Sequence, residues 1–381
     1  MNTMISQVKS LPDLLRETFQ SLDESARMCL HPELILSLKQ LFITGCGDSH
    51  HVGITTQLAF HQLSGVPTSP TTAMDFARYR AEFLKDYGPN TNLLVGISVS
   101  GSVVRTFEAL KMARDAGAVT LSLTATPDSL VGEVGENLFK IPDLPFPGPE
   151  GEVCPGVRSY FVNQMALLLM AVRIGEVKGT ISSAEASVHR NTLFGLADVI
   201  EATIEKNEKS IAKLAEDWKD ASEFVYVGGG PNFGTALFSA AKILEASGDS
   251  ALGQDTEEWG HLQYFARVAS TPTFLITAGD RDLSRIVEIA VAAKTIGRRV
   301  AVICPESADI LINTADHAFT FSPVSEMFSG PVTQIAGELF AAYRSDVIGE
   351  PFFRNFGGGR DIEGGGGISR IRTSDYWDRW Q

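Results

Sequence analysis

Residues 41–65 read LFITGCGDSHHVGITTQLAFHQLSG, an apolar run, a glycine turn and a helical pattern in direct succession. Leu41 to Thr44 suit a strand, and Gly45-Cys46-Gly47 a tight turn. Asp48 and Ser49 stand where an N-cap belongs, because their side-chain oxygens can accept the orphan N–H groups of a first helical turn. Ile54, Leu58, Ala59 and Leu63 then recur at helical spacing until Gly65 ends the pattern. A strand feeding a glycine turn and a helix N-terminus can hold an anion.

The pattern returns at 224–248 as FVYVGGGPNFGTALFSAAKILEASG; Gly45 to Gly65 spans 20 residues and so does Gly228 to Gly248. A second echo follows each copy, NLLVGISVSGSVVRTFEALKMARDAGAVTLSLTA at 92–125 and TFLITAGDRDLSRIVEIAVAAKTIGRRVAVICPE at 273–306. Equal order of elements in two halves indicates a duplicated domain. Strands alternating with helices predict an α/β fold with mostly parallel sheets.

At 381 residues the chain has room for two domains, and 44% hydrophobic content supports packed cores. The net charge of −14 argues against a nucleic-acid partner or an anionic membrane surface, both of which need a basic footprint. It leaves open a phosphorylated small molecule held by backbone N–H groups and hydroxyls. Cys29, Cys46, Cys154 and Cys304 show no CxxC spacing, so neither a metal site nor a disulfide framework is expected. The beginning lacks the apolar core of a signal peptide, and the run MALLLMAV (165–172) is too short to span a bilayer; a cytoplasmic protein is expected.

In chain order the expectation is a helical segment (1–37), a first α/β domain (38–176), a charged helical connection (177–221), a second α/β domain (222–348) and a tail (349–381). Strands are expected at Leu41–Thr44, Asn92–Ile97, Val119–Leu123 and Leu138–Ile141, with a closing helix at Phe161–Ile174. In the tail, 7 of the 11 residues from Gly357 to Gly367 are glycine. Two readings stand: a disordered end, or a glycine-hinged flap anchored by Tyr376, Trp377 and Trp380 that brings Arg354, Arg360, Arg370 or Arg372 over a site.

Ligands of parallel α/β sheets bind at the C-terminal ends of the strands. Three hydroxyl-bearing loops are expected there: Cys46-Gly47-Asp48-Ser49, Ser98-Val99-Ser100-Gly101-Ser102, and Gly156-Val157-Arg158-Ser159. Serines and free N–H groups at helix starts form a phosphate cradle that needs no lysine, although serine is also an ordinary cap. In the second half, Lys242 and Glu245 lie three apart on one helical face, and His261 follows Glu245 by 16 residues in GQDTEEWGHLQYF. By residue type alone, such residues are more often a solvated surface pair and a structural histidine than catalytic groups.

ISVSGSVVRTFEALKMARDAGA resembles the sugar-isomerase (SIS) domain, whose signature is approximately I-S-x-S-G-x-T before a helix. The resemblance runs from about Leu41 to Ile348 in two copies, and is greatest to the double-SIS isomerase half of glucosamine-6-phosphate synthase and to stand-alone ketosamine-6-phosphate deglycases. It implies two tandem flavodoxin-like three-layer sandwiches. It also implies phosphate binding by Ser98, Val99, Ser100 and Ser102, with Val99 replacing the family's glutamine, and sugar contacts from Cys46, Gly47, Asp48, Ser49, Val157 and Ser159. Lys242, Glu245 and His261 match the family's lysine, catalytic glutamate and histidine in type and spacing. The family builds sites between subunits, so a homodimer at least is implied, with neither cofactor nor metal.

That chemistry suits the residue types. A carboxylate can move a proton between C1 and C2 through an enediol or enediolamine, a histidine can open the sugar ring, and a lysine can stabilise developing negative charge. The sequence departs from the synthases in two ways. No glutaminase segment precedes the isomerase half, and Lys294 is the last lysine, so a tail lysine cannot form an imine. Both departures favour a substrate that already carries a C–N bond, a fructosamine 6-phosphate cleaved to an aldose 6-phosphate and an amine. The alternatives are an aminosugar-phosphate isomerase or deaminase, and a sugar-phosphate-binding regulator without turnover.

Overall fold

The protein is described by a computed structural model covering residues 2–85, 87–142, 144, 146 and 153–360. Helices α1 (Thr3–Lys9), α2 (Leu11–Met28) and α3 (Pro32–Ser37) precede the first sheet. That sheet contains β1 (Gln40–Gly45), β2 (Thr68–Thr72), β3 (Asn92–Ile97), β4 (Val119–Thr124) and β5 (Asn137–Lys140). Between its strands run α4 (Asp48–Ala59), α5 (Ala73–Asp75), α6 (Val104–Asp115) and α7 (Leu130–Val134). Helices α8 (Arg158–Lys178) and α9 (Ser183–Asp217) follow. The second sheet contains β6 (Glu223–Gly228), β7 (Ser250–Asp255), β8 (Pro272–Ile276), β9 (Arg299–Pro305) and β10 (His317–Phe321). Its helices are α10 (Pro231–Ala246), α11 (Thr256–His261), α12 (Leu283–Thr295), α13 (Asp309–Thr314) and α14 (Gly330–Ile348).

Both sheets are parallel throughout, and the duplication is exact in topology. The first runs β2-β1-β3-β4-β5 and the second β7-β6-β8-β9-β10. Even the turn after the first strand repeats, with Gly47 at φ 56°, ψ −126° and Gly230 at φ 53°, ψ −125°. A side chain is strained there, so glycine is needed at both places. β1, β3 and β4 are buried on both faces, as parallel strands covered by helices should be.

Several local expectations change. Gly47, not Asp48 or Ser49, is the N-cap of α4, because the turn closes one residue early and draws Asp48 into the helix. The buried face of α4 is Val52, Thr56, Ala59 and then Phe60 and Leu63, which a π turn at Phe60–Ser64 carries round; Ile54 and Leu58 are half-buried. Edge strand β2, TSPTT, has no apolar run and was not expected; it pairs with β1 from Leu41↔Thr68 to Gly45↔Thr72. The apolar run at 165–172 sits inside the 21-residue α8, which is long and apolar enough to cross a membrane, but 83% of its apolar window is buried inside the fold.

Two compact units emerge, and they do not follow chain order. Among the described residues, one gathers those of 17–144, 162–193 and 356–360 around the first sheet; the other gathers those of 2–16, 153–161 and 194–355 around the second. The N-terminal helix joins the second sheet because its buried Met4, Ile5 and Val8 pack on α14, where Asn2 Nδ2 donates to Ala342 O at 3.2 Å and Asp346 Oδ1 at 2.7 Å. The chain's fifth segment, from Gly349, is described only to Arg360; Arg370, Arg372, Tyr376, Trp377 and Trp380 lie outside the described residues.

Candidate active site

In the unit of the first sheet, β1 and β3 deliver Cys46–Ser49 and Ser98–Ser102 to the same C-terminal edge. Cys46 is exposed as a residue, yet its thiol is sheltered near Thr106 and Arg105 of α6, and burial pushes its pKa up. It is therefore a poor nucleophile.

The serine loop is shaped by Gly101, whose φ is 63°. A Cβ there would lie 1.8 Å from Ser129 Oγ, so only glycine lets the loop close. Gly101 N donates to Ser98 O at 3.0 Å, and Val131 N donates to Gly101 O at 2.9 Å. Ser100 and Ser102 hydroxyls lie 2.9 Å apart. The Ser98 hydroxyl is buried with no hydrogen-bond partner among the described residues, an arrangement that costs about 1–3 kcal/mol unless a ligand completes it.

Helix α6 begins with Val103 as N-cap, which makes no side-chain capping bond. Neither Ser100 nor Ser102 caps the helix; they face each other instead. Without a side-chain cap, the first turn presents its partial positive charge at this edge of the sheet, with Thr106 N donating to Val103 O at 3.1 Å. Val99 contributes through its backbone, its carbonyl accepting from Ala125 N at 3.2 Å and Thr124 Oγ1 at 3.3 Å. Arginines near this edge are engaged by carboxylates: Arg78 and Arg105 both pair with the buried Glu108, and Arg80 with Asp75. An anion would thus be held by hydroxyls and N–H groups.

Sequence reading missed the bracing loop after β4. Thr126 N donates to Thr124 Oγ1 at 3.1 Å, and Ser129 caps α7 by accepting from Gly132 N at 3.1 Å. The signal was present in TATPDS, a capping serine just past a strand end, but these side chains hold the serine loop only through tertiary contact.

In the unit of the second sheet, Lys242 is completely buried and its ammonium forms an ion pair with Glu245, one turn further along α10. Neither a solvated surface pair nor an isolated core lysine describes it. The Lys242 ammonium also lies 4.9 Å from the centroid of Phe238, an added stabilisation for a desolvated cation. Tyr160 stacks on Phe238 with centroids 3.5 Å apart, which brings Val157 to Tyr160 onto α10. Val157 and Ser159 thus share a unit with Lys242, not with the serine loop as the linear boundaries implied. Ser159 lies in the first turn of α8 instead of the loop before it.

His261 is elsewhere. It ends α11 with an exposed ring, its Nε2 3.1 Å from Glu257, whose carboxyl Arg285 and then His261 hold below the usual range. Helix α10 runs antiparallel to β6 and β7, so Glu245 in its last turn lies at the edge where the strands begin. His261 lies past the end of β7, whose six residues rise about 20 Å. Within one chain the glutamate and the histidine are at opposite edges of the sheet. Leu262, Phe265 and Val268, which follow His261, are exposed.

No family model matches the chain. Among curated proteins, it is 26% identical over 347 residues to a glutamine–fructose-6-phosphate aminotransferase (isomerizing) of Gloeobacter violaceus, covering 89% of this chain and 54% of that one. The chain therefore spans about half the length of the curated relatives it matches. Among solved structures, the C-terminal domain of glucosamine-fructose-6-phosphate aminotransferase from Francisella tularensis superposes with a TM-score of 0.76 at 17% identity, over 91% of this chain and 96% of that one. Tagatose-6-phosphate ketose/aldose isomerase from Escherichia coli gives 0.72 at 16% identity, over 93% and 95%. The chain thus resembles the glutamine–fructose-6-phosphate aminotransferases in sequence over about half their length, and shares its fold with the C-terminal domain of one such enzyme.

Proposed function

We propose that the chain is a phosphosugar isomerase that acts as a deglycase on 6-phosphorylated ketosamines. The observation that carries this reading is the pair on α10: a buried ammonium beside a partly exposed carboxylate. The serine loop, with a Ser98 hydroxyl unpartnered among the described residues and no side-chain cap on α6, is suited to a phosphate. Glu245 removes a proton from C1 of the open-chain ketosamine, and the C1–H electron pair forms the C1=C2 bond as the C2 carbonyl becomes an enol. Returning the proton to C2 leaves a C1=N imine, which water cleaves to the aldose 6-phosphate and the free amine. Lys242 holds Glu245 in place and stabilises charge at the enolic oxygen. His261 assists ring opening.

Because Glu245 and His261 lie at opposite edges of one sheet, both can serve one site only if a second copy supplies the histidine. The exposed Leu262, Phe265 and Val268 beside His261 suit burial in such a homodimer. All four cysteines are free, which suits a reducing cytoplasm. The likeness in fold to a ketose/aldose isomerase supports a second reading, simple aldose–ketose isomerisation. A panel of fructosamine 6-phosphates, fructose 6-phosphate, tagatose 6-phosphate and glucosamine 6-phosphate separates them. Amine release from the first group supports the deglycase. Interconversion of the sugars alone supports the isomerase, and binding without turnover a regulator.

A further inference from the structure

Helix α10 ends at Ala246 with its last carbonyls pointing at a guanidinium from far along the chain. Arg354 Nη1 donates to Leu244 O at 3.1 Å, and its Nη2 donates to Glu245 O at 3.0 Å and Ala246 O at 2.6 Å. The same Nη2 reaches Pro351 O at 2.9 Å, folding the segment back on itself. A cation here both satisfies orphan carbonyls and opposes the negative end of the helix dipole. Ordinary C-caps achieve this with a local glycine or lysine; here the capping group comes from 108 residues beyond Ala246.

Two details show a built seat. Gly248, with φ 75°, has space where a side chain would be: a Cβ there would lie 1.9 Å from Arg354 Nη1. The equivalent Gly65 of the first copy, φ 65°, has only Thr180 Cγ2 nearby at 3.4 Å, so the arginine seat belongs to the second copy alone. The segment that presents Arg354 is also left-handed, with φ of 52°, 56°, 49° and 55° from Phe353 to Phe356. Such residues each cost about 1–2 kcal/mol, and the conformation persists only where surrounding contacts hold it. Ser345 Oγ donates to Glu350 O at 2.7 Å and Glu350 N to Ser345 O at 3.1 Å, fixing the segment's start on α14.

We infer that Arg354 is a positioning residue for Glu245: it clamps the last turn of α10, and so couples the C-terminal segment to the carboxylate that moves the proton. This rests on the function proposed above for Glu245. The clamp bonds the backbone of Glu245 and leaves its carboxylate to Lys242, so it sets where the carboxylate stands and not whether substrate binds.

The experiment compares the full-length parent with Arg354→Ala, Arg354→Lys and Gly248→Ala in steady-state turnover of a fructosamine 6-phosphate and in amide hydrogen exchange. Arg354→Ala is expected to lower kcat about 10- to 100-fold with KM within about threefold, the cost of a misplaced group. Arg354→Lys, which restores charge and one donor, should recover part of kcat, and millimolar guanidinium should partly rescue Arg354→Ala. Gly248→Ala, which leaves Arg354 in the chain but blocks its seat, should match Arg354→Ala. Exchange at residues 244–248 should rise in both, with the sheet amides at parent level. Parent kcat in Arg354→Ala overturns the inference, as does an equal loss in every variant that guanidinium does not touch. If the parent turns over none of the panel, the proposed function fails instead, and the exchange measurement alone decides: parent-like protection at 244–248 in Arg354→Ala overturns the clamp.

Discussion

Lys242 and Glu245 form an ion pair on α10 in which the ammonium is wholly buried and the carboxylate keeps 29% of its side-chain surface exposed. The asymmetry suits the proposed roles. A desolvated lysine with its charge committed to one partner is a fixed electrostatic element, while the carboxylate keeps part of its surface toward solvent. Replacing Lys242 with Met should keep the volume, remove the cation, and leave Glu245 without its counter-charge. Turnover is expected to fall at least about 100-fold with the fold retained, since Glu245 keeps part of its carboxylate in water and is not left as a buried unpaired charge. Circular dichroism and steady-state kinetics on the same preparation check both halves.

Ser98 gives a prediction of opposite signs. Its buried hydroxyl lacks a partner among the described residues, so Ser98→Ala should stabilise the ligand-free protein by up to about 1 kcal/mol. The same change should weaken sugar-phosphate binding about 5- to 20-fold, the loss of one hydrogen bond to a charged group. Thermal unfolding and calorimetry together test this; a stability loss with unchanged affinity would mean that the hydroxyl serves the fold.

Ser100→Asp puts a negative charge at the same cradle and should abolish measurable binding of 6-phosphates while sparing the fold, because Ser100 is exposed. Unchanged affinity by calorimetry would move the phosphate elsewhere.

The pH dependence of stability has a defined sign. Burial lowers the pKa of His50, with Asp75 opposing, and burial likewise lowers His189 and His317. Each binds fewer protons folded than unfolded, so stability falls as pH drops through the ordinary histidine value of 6.5 toward the depressed folded values. The unfolding midpoint should decline between pH 7.5 and 5.5, and His50→Gln should lessen that decline. An unaltered slope would show that His50 does not titrate across this range.

If the site takes its histidine from a second copy, mixing inactive Glu245→Gln with His261→Ala and allowing subunits to exchange should restore activity. Random pairing of two-fold dimers gives about a quarter of parent activity, since half the dimers are mixed and each has one intact site. No recovery on exchange, with mixed dimers demonstrated, would place both residues' roles within a single chain.

The sequence showed the duplication because its signals were local: apolar strand, glycine turn, helix, terminal glycine. It hid β2, since TSPTT owes its pairing to β1 and not to its own side chains. It misplaced the cap of α4 because aspartate and serine were read as caps where Gly47 stands. The spacing of Lys242 and Glu245 was visible, but the burial of one and the exposure of the other depend on Phe238 and Tyr160, the latter from a distant segment. Arg354 was named only as one of several tail arginines; its seat against α10 required the fold.

The central claim is that Glu245 carries the proton between C1 and C2. Glu245→Gln keeps shape and hydrogen bonding but cannot accept a proton, so a fructosamine 6-phosphate should still bind while turnover falls about 100-fold or more. The direct measurement is exchange of the C1 proton of bound substrate with deuterated solvent, followed by NMR. The parent should wash deuterium into C1 and Glu245→Gln should not, at matched saturation. Exchange at the parent rate in Glu245→Gln would show that another group is the base, and would contradict the account.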